Sequence, residues 1–455
     1  MCYAEKPGEA ARRRERGVYM ARATKDAPQK SAALAAVRSG ARKWVGDFTT
    51  YPRNVYLLLL FTLGKGFQLS IGQVTTSLYA YSIGYRQDFV GILIAVPAIG
   101  SLLAAPLVGY MADRLPRKPL LLVTGMLNPV ALAAIGLTTN GSVMLIAAFM
   151  NGLLSSAYWV TNIPMLTESV EPKRRVSVMS LNSFLLLGIG ALGAIVGGAV
   201  PEMVSALTGA PATAPIPLRW GVIAAAVAVL LPTFPLFWLT EAPRGGEAAS
   251  AGSATSDVTT AGPQPSARPI PLLFILLLIP DVLYTAGEGA VVSLLPLFLE
   301  LRFDASPAMI GALVAGAGLL SGVTALLAPL IVRHYGKLRV ITGAQLLSVP
   351  VALLIGYSPL LMMTALAECA RNVLRGCFEP VYATFAMERV DARYRSRLSG
   401  MYSVTWSLGF SGGAAMAGWL QRNVNLSIGF AVGAVLLGIA PLMLIAAFGR
   451  DPTVD

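Results

Sequence analysis

The chain has 455 residues, of which 55% are hydrophobic and only 13% are charged, and its mean hydropathy is +0.66. A soluble globular chain carries about a quarter charged residues, so this composition excludes a soluble domain and indicates an integral membrane protein. The net charge of +12 could suit a nucleic-acid partner, but the basic residues concentrate in a tail and in short loops between apolar runs, which predicts no nucleic acid as partner.

Residues 1–54 are predicted to form a basic cytoplasmic tail, because they contain the run ARRRERG and no apolar core of a signal peptide. The segment SAALAAVRSGARKW within this tail has two interpretations. It forms a short basic helix on an anionic membrane surface, or it is simply solvated.

Apolar runs of about 20 residues, long enough to cross about 30 Å of hydrocarbon, recur along the rest of the chain. They are continuously apolar rather than alternating, which predicts helices and not a barrel. The sequence therefore predicts an all-α integral membrane protein with about twelve spans, near residues 55–82, 88–112, 119–139, 142–167, 176–201, 218–240, 270–299, 307–334, 338–357, 359–388, 398–420 and 425–448.

The basic residues of the loops predict the orientation of the chain. Each even-numbered loop holds at least two Lys or Arg, whereas the odd-numbered loops hold only Arg86, Arg219, Arg302 and Arg422. Cytoplasmic loops collect Lys and Arg, so both termini are predicted to be cytoplasmic, in a multi-pass protein of the cell (inner or plasma) membrane.

A segment rich in Gly, Ala, Ser, Thr and Pro separates the sixth and seventh spans and predicts a flexible cytoplasmic linker over residues 241–269. At an offset of about 220 residues, Gly91 aligns with Gly311 and Gly198 with Gly418. The sequence therefore predicts two pseudo-symmetric six-helix bundles, residues 55–240 and 270–448, followed by a cytoplasmic C-terminus at 449–455. Two such bundles are typical of an alternating-access carrier whose substrate site lies between them.

The loop after the second span, GYMADRLPRK, resembles the Gly-x-x-x-Asp-Arg-x-Gly-Arg-Lys signature of the major facilitator superfamily. The matching residues are Gly109, Asp113, Arg114, Arg117 and Lys118, and Pro116 replaces the usual glycine. The resemblance implies this family's fold over residues 55 to 448 and a secondary active transporter. It also implies that Asp113 latches the two halves by accepting hydrogen bonds from the N-terminus of the eleventh helix, while Arg114 and Arg117 balance its charge.

Part of the fifth span resembles a glycine-rich pattern of drug/proton antiporters in this family, which implies export. Gly193, Gly197 and Gly198 match it, but Ala194 stands where the pattern has proline, and Ala148 in the fourth span stands where such exporters have an arginine. The alternative is that these small residues only allow close packing of helices.

Four charged residues of the tenth span lie three or four residues apart and share one helical face, which cannot face lipid. Polar residues share a face in the first, fourth and seventh spans as well, and the family resemblance implies that these four spans line the substrate cavity. The stripe in the tenth span consists of Glu368, Arg371, Arg375 and Glu379. The expected cavity residues are Lys65, Gln68, Tyr158, Trp159, Asn162, Tyr284, Glu288, Arg371 and Arg375.

Depth along the spans predicts that Glu288 pairs with Arg371, and that Asp281 pairs with Arg375 and Lys65. The four intramembrane acids, Asp281 and Glu288 among them, outnumber the three intramembrane bases by one. A buried carboxyl without a partner tends to hold a proton, as a proton-coupled carrier requires. The candidates for proton coupling are Glu288 first, Glu379 second, then Asp281 and Glu368, and the alternative is a static ion network.

The basic and aromatic residues of this cavity favour an amphipathic or lipophilic organic molecule, exported in exchange for protons by a monomer surrounded by membrane lipids. The alternatives are an importer, a facilitator, or a lipid translocator for an anionic or amphipathic solute. A lipid-modifying membrane enzyme or a receptor would be a different class. The sequence has no nucleotide-binding loop and a single histidine, His334, so we expect no enzyme activity, no cofactor and no metal.

Overall fold

The computed structural model describes residues 51–171, 174–240 and 269–449. The predicted basic tail, central linker and cytoplasmic C-terminus lie outside these residues, except at their edges. The described residues from Arg53 onward form one compact unit, which is built of helices joined by short connections.

The helices of the first half agree with the six predicted spans. The fifth span changes from α-helix to π-helix and back, and the sixth ends in a short 3₁₀ turn. In order they are Arg53–Ser82, Gln87–Arg114, Arg117–Leu137, Gly141–Glu168, then Arg175–Ser183 with Phe184–Ile189 and Gly193–Thr208, and finally Pro215–Thr233 with Phe234–Trp238.

The second half repeats this arrangement, and here the seventh span is interrupted near its end. Its helices are Ile270–Val292 with Leu295–Phe303, then Pro307–Tyr335, Lys337–Tyr357, Leu361–Glu388, Ala392–Asn423 and Ile428–Phe448. We number the spans 1 to 12 in this order.

Ten of these spans are long and apolar enough to cross a membrane. Spans 10 and 11 have sufficient length, 28 and 32 residues, but are less apolar. Span 10 carries the predicted stripe of charges, and span 11 begins with ARYRSRLSG. The prediction of an all-α membrane fold is confirmed.

Span 5 contains a feature that the sequence did not predict, the π-helix Phe184–Ile189. It lies where span 5 contacts spans 1 and 8. Just after it, a Cβ atom on Gly190 would lie only 2.7 Å from the Cα of Gly66 in span 1, so the two backbones touch. Such π-helical turns are rare and occur frequently at functional sites.

The two halves meet through glycines that the internal repeat aligns. Span 2 packs on span 11, where a Cβ on Gly91 would lie 3.0 Å from the Cα of Gly418. Span 8 packs on span 5, where a Cβ on Gly311 would lie 3.2 Å from the Cα of Gly198. Since Gly91 aligns with Gly311 and Gly198 with Gly418, the two interfaces are equivalents of each other.

Each half also has an ion pair at the equivalent position, the end of its fourth helix. Arg117 Nη1 lies 2.7 Å from Glu168 Oε1, and Lys337 pairs with Glu388. The partners are 51 residues apart in both pairs. This correspondence supports the proposal that the halves are duplicated units.

Close contacts between the halves are found at one end of the bundle. We call it the distal end, where residues 83–86, 209–214 and 424–427 connect the helices. There Asp88 pairs with Arg422, and the backbone of Gly198 packs against Pro307. At the opposite end, where spans 6 and 7 lead to the linker, nothing lies within 4 Å of a Cβ built on Gly109 of span 2 or Gly400 of span 11.

We predict that Gly418→Val lowers the melting temperature of the purified protein, because the added side chain would separate spans 2 and 11 where their backbones touch. Overpacking of this kind typically costs about 1–3 kcal/mol. The matched control is Gly412→Val in the same helix, where a Cβ meets nothing within 4 Å. Equal losses of thermal stability in the two variants would contradict the contact.

Candidate functional site

Arg371 of span 10 lies between two carboxylates, at the centre of a buried ion network. Its Nη1 donates to both oxygens of Glu288 in span 7, at 2.9 and 2.7 Å. Its Nε and Nη2 donate to the two oxygens of Glu368, at 2.8 and 2.6 Å. All three residues are nearly inaccessible, with Arg371 only 1% exposed. The predicted pair of Glu288 and Arg371 is therefore confirmed.

Neutral side chains complete this network. The hydroxyl of Tyr284 donates to Glu288 Oε1 at 3.0 Å, and Asn372 Nδ2 donates to Glu368 Oε1 at 2.7 Å. Asn372 was not among the predicted site residues, although it lies four residues after Glu368 on the same helical face. Two carboxylates share Arg371 and together more than neutralise its charge. Each of its three guanidinium nitrogens already donates a hydrogen bond to a carboxylate of the protein.

The network extends from the buried core towards an exposed surface through Arg375. Arg375 Nη1 lies 3.8 Å from Glu288 Oε2, and its Nε donates to Glu379 Oε2 at 3.1 Å. The side chain of Arg375 is 34% exposed and that of Glu379 is 57% exposed. Charges in the middle of a membrane helix cannot face lipid, so this exposure indicates a water-filled space.

Asp281 has a different partner from the one predicted. Thr405 Oγ1 of span 11 donates to Asp281 Oδ2. The predicted pairing of Asp281 with Arg375 and Lys65 is wrong. Glu379 lies four residues after Arg375 on the same helix and is already placed to bind it, so Arg375 turns away from Asp281. Asp281 is left with a hydroxyl rather than a cation as its described partner.

Lys65 of span 1 lies apart from this network, inside the first half. It is 2% exposed and its Nζ donates to Ser155 Oγ at 2.8 Å. Asn128 of span 3 donates to the same Ser155 oxygen at 3.1 Å and to Asn151 Oδ1 at 2.7 Å. Asn128 was missed in the sequence, although it is the one amide in the otherwise apolar run GMLNPVAL and could have been noted.

The internal repeat relates the two polar clusters. Gln68 Nε2 donates to Asn151 Oδ1 at 3.4 Å, and these residues are 83 positions apart, as are Glu288 and Arg371. An offset of 220 residues places Gln68 on Glu288 and Asn151 on Arg371. An ion pair in the second half thus occupies the position of an amide pair in the first.

The other predicted cavity residues of span 4 have separate surroundings. Asn162 Nδ2 donates to Thr62 Oγ1 at 3.1 Å and to Asn182 Oδ1 at 3.2 Å, and the hydroxyl of Tyr158 lies 3.3 Å from Thr62 Oγ1. These bonds join spans 1, 4 and 5. Trp159, in contrast, is 45% exposed, with its ring 5.0 Å from that of Tyr158.

The motif after span 2 is bound mainly within the first half. The guanidinium of Arg114 lies 4.2 Å from the ring centre of Tyr110, Arg117 pairs with Glu168, and Lys118 donates to the carbonyl of Phe237 at 2.8 Å. The side chain of Asp113 lies outside the described part of the structure, so its implied contact with span 11 stays a prediction.

The glycines of the fifth span serve close packing. A Cβ on Gly193 would lie 2.7 Å from the Cα of Phe67 and one on Gly197 would lie 3.0 Å from the Cα of Ile71, both in span 1. Gly198 faces span 8 of the other half. Within the described ranges, no group of three or more His, Cys, Asp and Glu side chains is arranged to hold a metal ion.

A family model for the Major Facilitator Superfamily matches residues 56–304 and 281–455. In sequence, 76 residues are 37% identical to Solute carrier family 22 member 2 of Rattus norvegicus, a match that covers 17% of this chain and only 14% of that protein.

Among solved structures, the fold is similar to that of a D-xylose-proton symporter, with a TM-score of 0.68, 14% identity, and coverage of 86% of this chain and 96% of that one. It is also similar to an inward-facing, occupied bacterial homolog of the human lysosomal transporter Spinster. That similarity has a TM-score of 0.65, 14% identity, and coverage of 86% and 94%.

We predict that Arg371→Asn strongly destabilises the protein, because it leaves the carboxylates of Glu288 and Glu368 buried without a counter-charge. Breaking a buried pair in this way costs about 3–5 kcal/mol. The triple variant Glu288→Gln, Glu368→Ala and Arg371→Asn, which copies the first half, should recover most of the melting temperature. Arg375→Asn is the control, because it removes a partly exposed charge and should lower the melting temperature less. If Arg371→Asn were no worse than this control, the central role of Arg371 would be disproved.

Proposed function

We propose that this chain, which belongs to the Major Facilitator Superfamily and is a secondary transporter rather than an enzyme, exports an amphipathic or lipophilic organic molecule in exchange for protons. The observation that carries this proposal is the network of span 10, which leads from buried, paired charges to exposed ones at membrane depth. Static packing alone gives no reason for water to reach these charges.

The contacts between the halves support transport by alternating access. The halves touch at the distal end, where Asp88 pairs with Arg422, whereas a Cβ on Gly109 or Gly400 at the linker end meets nothing within 4 Å, which supports a space open towards the linker end. The basic loops favour a cytoplasmic location for that end. With this orientation the structure corresponds to a state open to the cytoplasm, in which an exporter loads its substrate.

The exposed side chains support an amphipathic substrate. Trp159 offers an apolar ring, while Arg375 and Glu379 offer charges in the water-filled space. Arg371 was expected to attract an anionic group, but its guanidinium is bound to two carboxylates. We therefore assign direct contact with the polar part of the substrate to Arg375 and Glu379.

For proton coupling, Asp281 fits better than Glu288, the first candidate from the sequence. Glu288 is bound by Arg371 and Tyr284, whereas Asp281 has Thr405 as its described partner. The charged and titratable groups that interact with Asp281 are Glu379 and Tyr382 of span 10 and Tyr402 of span 11. A carboxyl without a cationic partner, close to a second carboxyl, is suited to bind and release a proton.

Melting temperatures at about pH 5.5 and about pH 7.5 will test the substrate class. We expect lipophilic cations or acyl amphipaths to raise the melting temperature of the purified protein, since a ligand of the folded state adds RT ln(1 + [L]/Kd) of stability. We expect Trp159→Ala to weaken the rise and Trp238→Ala, which removes an even more exposed ring at a helix end, to preserve it. Stabilisation by sugars alone, equal at both pH values, would overturn the export proposal.

We predict that Asp281→Asn uncouples transport from protons. In proteoliposomes containing a pH-sensitive dye, wild-type protein should move protons when an amphipath from the preceding screen is added. Asp281→Asn should still bind this amphipath but move no protons. Thr405→Val tests the hydrogen bond without removing a carboxyl and should shift the pH profile instead. Proton movement at the wild-type rate in Asp281→Asn would exclude this residue as the coupling site.

A further inference from the structure

Lys65 is a basic side chain in surroundings that are neutral wherever they are described. It is among the most deeply buried large side chains, 2% exposed, and its Nζ donates to the hydroxyl oxygen of Ser155 at 2.8 Å. An ammonium group at membrane depth is costly unless an opposite charge or water compensates it. The groups that face Lys65 therefore decide whether it can carry a charge.

The carboxylates of the described residues do not supply an opposite charge. The acids at membrane depth belong to spans 7 and 10, and they are bound there by Arg371, Arg375 or Thr405. In the first half the described acidic side chains lie towards the ends of the helices: Asp88, Glu168, Glu171 and Glu202. An ammonium on Lys65 would therefore have no counter-charge among the described residues.

Water cannot replace the missing charge. The space beside Lys65 measures about 10 Å³, which is room for one water molecule at most. Its walls come from spans 1, 3, 4 and 6 and are largely apolar, with Phe61, Leu154 and Val229 among them. The other titratable side chain in these walls is Tyr158, a phenol that is neutral at about pH 7. An ammonium in this site would lose nearly all of its hydration.

The neighbouring polar groups already form hydrogen bonds with one another. Asn128 Nδ2 donates to Ser155 Oγ at 3.1 Å and to Asn151 Oδ1 at 2.7 Å, and Ser155 Oγ donates to Asn151 Oδ1 at 3.4 Å. An ammonium has three N–H donors, of which one has a described acceptor, whereas a neutral amine has two N–H groups and a lone pair. The site thus suits an uncharged amine better than an ammonium.

We propose that Lys65 is a proton-binding site whose amine is uncharged in this conformation. A proton added to it creates a charge that this part of the first half does not accommodate, so protonation requires spans 1, 3, 4 and 6 to admit water or a carboxylate. Acidification therefore disfavours the conformation described here. The site is separate from Asp281, and it depends neither on the proposed export nor on coupling through that carboxyl.

The first test compares a neutral and a permanently charged replacement of Lys65 by the melting temperature of the purified full chain at about pH 7.5. Lys65→Met keeps an uncharged chain of similar length, and Ser155 retains its bond from Asn128, so the loss should be small. Lys65→Arg forces a charge into the site and should lower the melting temperature by at least about 5 °C more. The matched control is Lys337, which pairs with Glu388 and should tolerate arginine at least as well as methionine. A Lys65→Arg protein as stable as Lys65→Met, or a Lys65→Met protein that does not fold, would overturn the proposal.

The second test is the pH dependence of melting, which does not depend on the size of the new side chain. In the unfolded chain Lys65 carries a proton throughout the range from about pH 6 to about pH 9. Because the folded residue is uncharged at the upper end of this range, unfolding takes up a proton, and the stability of the wild-type protein falls as the pH falls. Between about pH 9 and about pH 6 the melting temperature of wild type should drop by about 2 °C or more relative to Lys65→Met. A difference between the two proteins that stays constant over this range would overturn the proposal, and this comparison decides it also where Lys65→Arg yields no folded protein.

Discussion

The bond that most constrains this protein is the one between Arg371 and its two carboxylates. A bilayer core offers no water to these charges, so the three side chains must remain together for spans 7 and 10 to lie in the membrane. The pairing constrains the rotation of both helices, and the remaining charges, Arg375 and Glu379, lie on an exposed face. The exposed charges to which we assign substrate contact are thus positioned by the buried charges next to them.

The two halves have similar folds, but they differ in the chemistry of this site. The first half has Gln68 and Asn151 where the second has Glu288 and Arg371, and the distance along the chain is identical. The interfaces between halves keep the symmetry, since Gly91 meets Gly418 and Gly198 meets Gly311. A shared framework therefore holds an ion network in the second half and a hydrogen-bonded cluster of amides, Ser155 and Lys65 in the first.

Small residues line the contacts between the halves, and the proposed alternating access would have to open these contacts. Glycine contacts bring the backbones of spans 2 and 11 together, and Ser411 Oγ donates a hydrogen bond to the carbonyl of Ala95 across the same interface at 3.0 Å. The ion pair of Asp88 and Arg422 adds a contact at the distal end, where it is partly exposed to solvent and contributes little stability. The proposed alternating access would break this ion pair at little cost, so most of the cost of opening would lie in the glycine contacts.

The sequence alone determined the class of protein, the membrane spans, the repeat, and the face of span 10 that carries charge. Helical periodicity and depth were sufficient to pair Glu288 with Arg371, because each residue's position along its span was known. Only the tertiary structure decided the partner of Asp281, the placement of Lys65 beside Ser155 and the π-helix in span 5. These depend on which helix stands opposite and how far a long side chain reaches, and periodicity within one helix carries no information about either.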